Sequence, residues 1–219
     1  MKKVLTAIIL VLFLSSISYS QFKMKVGPTL GLNFNIGTGS DLDETVTGLG
    51  MIIGAQVDMN FTPMVGLITN LQFYDNRSGS SSTEGTVQGG TSYTLTNSTS
   101  LAYFMIEPLF KLSIPRSGFY FVMGPMIGFN IEATFEQNIT SRNNDVTFQG
   151  GGTKNKQSLK NTLVRFGLKT GAGIDINLSR LIDLTPQLNF EYGLTNVQSD
   201  FSSRILTFQA LVTVKFKVL

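Results

Sequence analysis

Residues 119–135 read FYFVMGPMIGFNIEATF. In steps of two from Phe119, one face carries Phe121, Met123, Pro125, Ile127, Phe129, Ile131, Ala133 and Phe135, with no polar side chain. The other face carries Tyr120, Val122, Gly124, Met126, Gly128, Asn130, Glu132 and Thr134. A period of two with this contrast is the mark of a β-strand, not a helix. About 17 residues is long for a strand in a soluble domain. The length suits a tilted strand that crosses a bilayer and projects beyond it.

The same alternation recurs on both sides of this stretch. Toward the N-terminus, Val26, Leu30, Leu32, Phe34 and Ile36 alternate with Lys25, Thr29, Asn33 and Asn35. Leu49, Met51, Ile53, Val57 and Met59 then oppose Gln56, Asp58 and Asn60. Residues 65–74 place Asn70, Gln72 and Tyr74 on a polar face, and residues 101–114 set Phe104, Ile106, Phe110 and Leu112 against Tyr103, Glu107 and Lys111. Toward the C-terminus, Val164, Phe166 and Leu168 oppose Arg165 and Lys169, with Asp175 further along the same polar face. Leu184, Leu188 and Phe190 oppose Asp183, Gln187 and Glu191, and Phe208, Val212, Val214 and Phe216 oppose Lys215 and Lys217. With the opening stretch these make eight strands, an even number, as closed bacterial barrels require.

The connections alternate between long and short. Polar stretches at Thr38–Thr47, Asp75–Ser100 and Gln137–Lys160 alternate with tight turns at Thr62–Met64, Pro115–Gly118 and Ser179–Arg180, and Asn196–Arg204 is the last loop. The pattern predicts long, mobile loops outside the cell and short periplasmic turns, with both chain ends periplasmic. A soluble barrel of the lipocalin kind also alternates, with its apolar face inward. Three features favour the membrane. No Asp, Glu, Lys or Arg interrupts the apolar faces, where one Lys or Arg costs about 2–4 kcal/mol at the bilayer midplane. Aromatics gather toward the strand ends, with Phe34, Phe73, Phe104, Phe135, Phe166, Tyr192 and Phe208 at the loop side and Phe61, Phe119 and Phe216 at the turn side. Glycines such as Gly27, Gly54, Gly124, Gly128, Gly167, Gly171 and Gly173 lie on the polar face, where a narrow barrel interior is crowded. The strand prolines Pro28, Pro108, Pro125 and Pro186 fall on the lipid face and predict bulges or skipped hydrogen bonds.

Residues 1–20 have the parts of a signal peptide: Lys2 and Lys3, a short apolar core from Val4 to Leu14, and the small residues Ser18 and Ser20 before a cut at Gln21. The domain division is therefore a signal peptide over 1–20 and an outer-membrane β-barrel domain over 21–219. Charged residues make up 14% of the chain, against about 25% in soluble domains, which fits a wall facing lipid. A net charge of +3 without a basic cluster gives no reason to propose nucleic acid. The sequence holds no histidine and no cysteine, which removes Ser-His-Asp and Cys-His catalysis and the usual zinc and haem ligands. Gly171-Ala172-Gly173 lies inside a strand with no following helix and reads as interior packing. Gly27–Phe34 echoes Gly124–Ile131, either from duplication of a hairpin or from equal packing needs in two like strands. No catalytic, cofactor or metal site is expected.

The segments GPTLGLNFNIG, FMIEPLFKLSIP, GFYFVMGPMIGFNIEA, FGLKTGAGIDI and LNFEYGLTNV resemble the PorT-like outer-membrane β-barrel domain family. The resemblance covers nearly all of the chain after residue 20. It implies an eight-stranded barrel in a Gram-negative outer membrane, and for some members a part in protein secretion. It carries over no catalytic residue.

The polar faces hold a set of charges of nearly balanced sign: Asp58, Glu107, Glu132, Glu136, Asp175, Asp183 and Glu191 with Lys25, Lys111, Arg165, Lys169, Lys215 and Lys217. A carboxylate pair could serve acid–base chemistry. The favoured reading is a paired network filling the lumen, since each charge in a poorly hydrated space needs a partner. Parity around the turn at Ser179-Arg180 allows two registers. One opposes Asp175 to Asp183, a like-charge pair; the other opposes Lys169 to Glu191 and Asn177 to Asp183, and is predicted. Arg165 is then expected near Glu132 or Glu136. The functional expectation is an all-β, eight-stranded antiparallel up-and-down barrel without enzymatic activity. It would be a structural, assembly or secretion component of the envelope. The alternative is a narrow, porin-like transporter of small or lipophilic molecules. Expected partners are outer-membrane lipid, the barrel-assembly machinery during insertion and an envelope protein.

Overall fold

A computed structural model describes residues 22–39, 46–87, 90–142, 146–159, 162–197 and 204–218. The expected signal peptide lies outside the described residues. Among the described residues there are ten strands: β1 Lys23–Thr38, β2 Val46–Asn60, β3 Val65–Thr86, β4 Ser92–Ser113, β5 Phe119–Ser141, β6 Lys154–Ser158, β7 Arg165–Ile174, β8 Ile176–Asn177, β9 Ile182–Gly193 and β10 Arg204–Lys217. Eight of them close a ring of antiparallel neighbours in the order β1-β2-β3-β4-β5-β7-β9-β10, with β10 returning to β1. β8 carries the line of β7 onward beside β9, and β6 extends the wall along β5.

The ring is staggered. Successive neighbours of Val26 are Val57, Thr69 and Pro108, then Pro125, Leu168, Tyr192 and Leu206, and the path returns to β1 at Ile36. A shear of ten residues over eight strands tilts them by roughly 40° to the barrel axis. Pro108 and Pro125 face each other in a gap in the β4–β5 pairs, and Pro28 lies in a gap between β1 and β10. These three prolines interrupt the ladder as expected, because none can donate to it, whereas Pro186 stands opposite Val212 of β10 in unbroken register and makes no such gap on that side.

The polarity is inside out. Leu49 and Leu188 are 71% and 67% exposed, while Asp58, Glu107 and Lys215 are fully buried. Hydrogen bonding among strands satisfies the backbone, so the exposed apolar wall suits hydrocarbon, where an open sheet edge would not survive. Aromatic pairs line it: Phe73 stacks with Phe104 at 6.4 Å, and Phe190 meets Phe208 at 5.1 Å. Inside, glycines make room for large neighbours. A Cβ on Gly173 would collide with the Tyr120 ring, and one on Gly167 with Met126.

Two bulges redirect the upper half of the wall. On β3, Phe73 and Tyr74 together oppose Phe104, so the inward phase moves from Gln72 to Asp75 and Arg77. On β5, Ile131 is extra, so Ala133 turns inward and Glu132 turns out. Tyr74 therefore leaves the polar face assigned to it, and Phe135 falls on the inward row beside Thr99 instead of in the loop-side girdle. Above the bulges the strands continue. Most of the expected loop Asp75–Ser100 is a paired hairpin of β3 and β4, and β5 runs on to Ser141 with β6 alongside. The rim is thus built up over β3–β6.

Candidate functional site: the charged lumen

The lumen fills in layers. Uppermost is an apolar cluster of Leu101, Tyr103, Met105, Met126, Ala133 and Ile205, with Leu159 and Val197 packed against it. Beneath lies a charged layer. The Arg77 guanidinium donates to Asp75 at 2.5 Å, Glu191 at 2.6 Å and the Thr207 hydroxyl at 2.6 Å. The Lys169 ammonium sits 2.5 Å from Glu107 and 2.7 Å from Glu191, and donates to Gln209 at 2.7 Å. Arg165 approaches Glu191 at 3.8 Å and donates to the Ile205 carbonyl at 3.0 Å. Three cations thus face three carboxylates.

Amides connect this layer to the lower half. Asn70 donates to Glu107 at 2.9 Å, Gln56 donates to Asn70 at 2.8 Å, and the Tyr120 hydroxyl donates to Gln187 at 2.8 Å. Near the short turns is a second charged layer. Lys111 and Lys215 both donate to Asp58 at 2.7 Å and to Asp175 at 3.1 Å. Their ammonium groups stand 4.5 and 5.3 Å from the Tyr120 ring centroid, where the π face attracts cations. Lys25 pairs with Asp183 at 2.7 Å, and Lys217 reaches the same carboxylate at 3.2 Å.

Strand alternation puts these charges here. Every second residue of a strand shares a face, so one polar face per strand, wrapped into a cylinder, concentrates charge along the axis. Taking ionised groups out of water costs several kcal/mol each unless partners restore the loss. Lys111, Lys169 and Lys215 each meet two carboxylates, and Arg77 likewise meets two.

Of the residues expected in this network, Lys25, Asp58, Lys111, Asp175, Asp183, Lys215 and Lys217 come together in the lower layer. Glu107, Arg165, Lys169 and Glu191 come together in the upper one. The register is the expected one: Lys169 opposes Glu191, and Asn177 opposes Asp183. Glu132 and Glu136 do not belong. The bulge at Ile131 turns both outward, where Glu136 neighbours Lys156 on β6, and Arg165 meets Glu191 instead. Asp75 and Arg77 were not anticipated. Their two-residue spacing puts them on one face, but on the parity opposite to Asn70 and Gln72, so only the bulge at Phe73–Tyr74 brings them inward, and the Ser/Gly-rich run that follows reads as a loop. No group of metal-ligating side chains is found among the described residues.

A closed ring of eight antiparallel strands, apolar outside and charged within, defines a membrane-spanning β-barrel. The chain belongs to the outer membrane protein beta-barrel domain family, whose model matches residues 15–199, and this places it among Gram-negative outer-membrane proteins. No curated protein matches it. Solved structures of outer-membrane proteins align with the chain at low identity. The solid-state NMR structure of outer membrane protein AlkL in lipid bilayers aligns with a TM-score of 0.50 at 7% identity, over 91% of this chain and 92% of that one. OprG of Pseudomonas aeruginosa aligns at 0.41 and 10% identity, over 91% and 97%. Neisserial surface protein A aligns at 0.37 and 15% identity, over 88% and 97%.

Proposed function

We infer that this protein is a non-enzymatic structural component of the outer membrane, a rigid barrel that holds the β3–β6 sheet and its loops outside the cell. The observation that carries this reading is the filled lumen: Arg77, Lys111, Lys169 and Lys215 are among its largest buried side chains, and all are paired. Ion pairs spread across strands that are distant in sequence lock the wall in one register and occupy the volume a solute would need. The absence of histidine from the sequence supports a role without acid–base catalysis. The built-up rim supports contact with an envelope partner, and the PorT-like resemblance points to an assembly or secretion machine as that partner's kind. The short turns and both chain ends lie in the periplasm, after export through a signal peptide over residues 1–20.

The chain has no cysteine, so single-cysteine variants report orientation cleanly. Ser82→Cys, on the built-up rim, should react with a membrane-impermeant maleimide on intact cells. Ser117→Cys, in the turn after β4, should react only after the outer membrane is opened. The reverse pattern would invert the barrel and remove the basis for outward presentation.

A further inference from the structure

Above the two bulges, the outward side of the rim sheet is a lattice of small polar groups. Ser80 stands beside Ser98, and Ser82 beside Thr96 and Asn138. The next rank is Glu84, Thr94 and Thr140. Neighbouring strands lie about 4.8 Å apart, and same-side residues about 6.8 Å apart along a strand, so the ranks are regularly spaced. Each hydroxyl offers one donor and two acceptor sites. Ser82 and Thr96 spend one of these on each other at 3.1 Å, which leaves capacity turned to solvent. The opposite side of the same strands mixes apolar and polar groups: Ile139 is buried there, in rank with Leu95 and Thr83, and Ser81, Asn97 and Gln137 form the next rank.

The position of the lattice indicates what it meets. On the same side of the same strands, below the bulges, Phe73, Phe104 and Phe129 lie against the lipid. One rank, Asn76, Ala102 and Glu132, lies above them; the hydroxyl ranks begin beyond it with Ser78, Ser100 and Thr134 and face sideways, into the layer just outside the hydrocarbon. In the outer leaflet of this membrane that layer is the sugar portion of the glycolipid. We propose that the outward side of the β3–β6 sheet is a docking surface for the sugar chains of the surrounding outer-leaflet glycolipid. This rests on the orientation given under the proposed function. The charges are scattered and of both signs, with Lys154, Lys156 and Arg142 against Glu84 and Glu136. That mixture suits a saccharide with occasional anionic groups, whereas a phosphate-dense headgroup would need a basic cluster. A cleft at the tip of the sheet is lined by Glu84, Thr94, Thr140 and Arg142 of the lattice side together with Tyr93 and Ser141 of the opposite side.

The test uses the full-length protein folded in detergent micelles, titrated calorimetrically with the deacylated core oligosaccharide of lipopolysaccharide. Thr94→Val with Thr96→Val removes two lattice hydroxyls without changing shape. Thr83→Val with Thr99→Val removes two hydroxyls from the opposite side. Saturable binding is expected for the parent. It should weaken by about tenfold in the first pair, for two lost hydrogen bonds, and stay unchanged in the second. No binding by the parent, or equal loss in both pairs, overturns the proposal. If the first pair does not fold, as judged by heat-modifiable gel migration, Ser82→Ala with Ser98→Ala carries the same expectation. The probe has no acyl chains and the micelle has no sides, so this result is independent of orientation, which the thiol labelling decides separately.

Discussion

Lys169 stands between Glu107 at 2.5 Å and Glu191 at 2.7 Å, in a layer closed to solvent. Glu191 has a second cation in Arg77, whereas Glu107 depends on Lys169 and one amide donor, Asn70. Replacing Lys169 by Met therefore strands Glu107 above all. The expected cost is about 3–5 kcal/mol, the usual result of leaving one buried charge unpaired. Adding Glu107→Gln should return a large part of that loss, because the double variant leaves Glu191 with its arginine. Urea unfolding in lipid or detergent, followed by gel mobility, measures both; a double variant no more stable than the single one would contradict the pairing. The Lys169–Glu191 register was legible in the sequence because the other register that parity allows opposed Asp175 to Asp183. Glu132 was misread for the complementary reason. A single extra residue, Ile131, reverses which side every later residue of β5 faces. Nothing in the local sequence marks that insertion, since Ile131 is as suited to the regular strand as to the bulge.

Among the elements, the long hairpin of β3 and β4 departs furthest from expectation. Ser and Gly are depleted in strands, so SGSSST at residues 78–83 reads as a loop. In the folded chain Ser78 faces Ser100 and Thr83 faces Leu95, and cross-strand pairing supplies what propensity does not. Protease access should follow pairing rather than composition. Trypsin added to intact cells is expected to cut beyond β5 at Arg142 and to spare Arg77, which is sealed in the lumen. It should also spare Arg116 and Arg180 in the short turns; cleavage there would contradict the orientation. β10 is the closing element, paired to β1 on one side and β9 on the other. Deleting residues 205–219 leaves both neighbours with unpaired backbone edges, which hydrocarbon does not tolerate. The truncated chain should fail to assemble and should lose heat-modifiable migration on gels; normal migration would show that the ring closes without it.

For the whole molecule, alternation carried most of the fold. The count of eight, the alternation of long and short connections and the sorting of charge to the inside all follow from period-two patterning and the cost of charge in lipid. The height of the rim over β3–β6 and the apolar cluster beneath it were not legible. Both depend on bulges and on packing between residues far apart in the chain, such as the cluster that gathers Ala133 and Ile205. The central claim is that paired charges fill the lumen and leave no path for ions. Purified protein reconstituted into planar bilayers tests this most directly. The account predicts a baseline without steady conductance steps under applied voltage. Stable, reproducible openings by the folded protein would contradict it and favour a transporter.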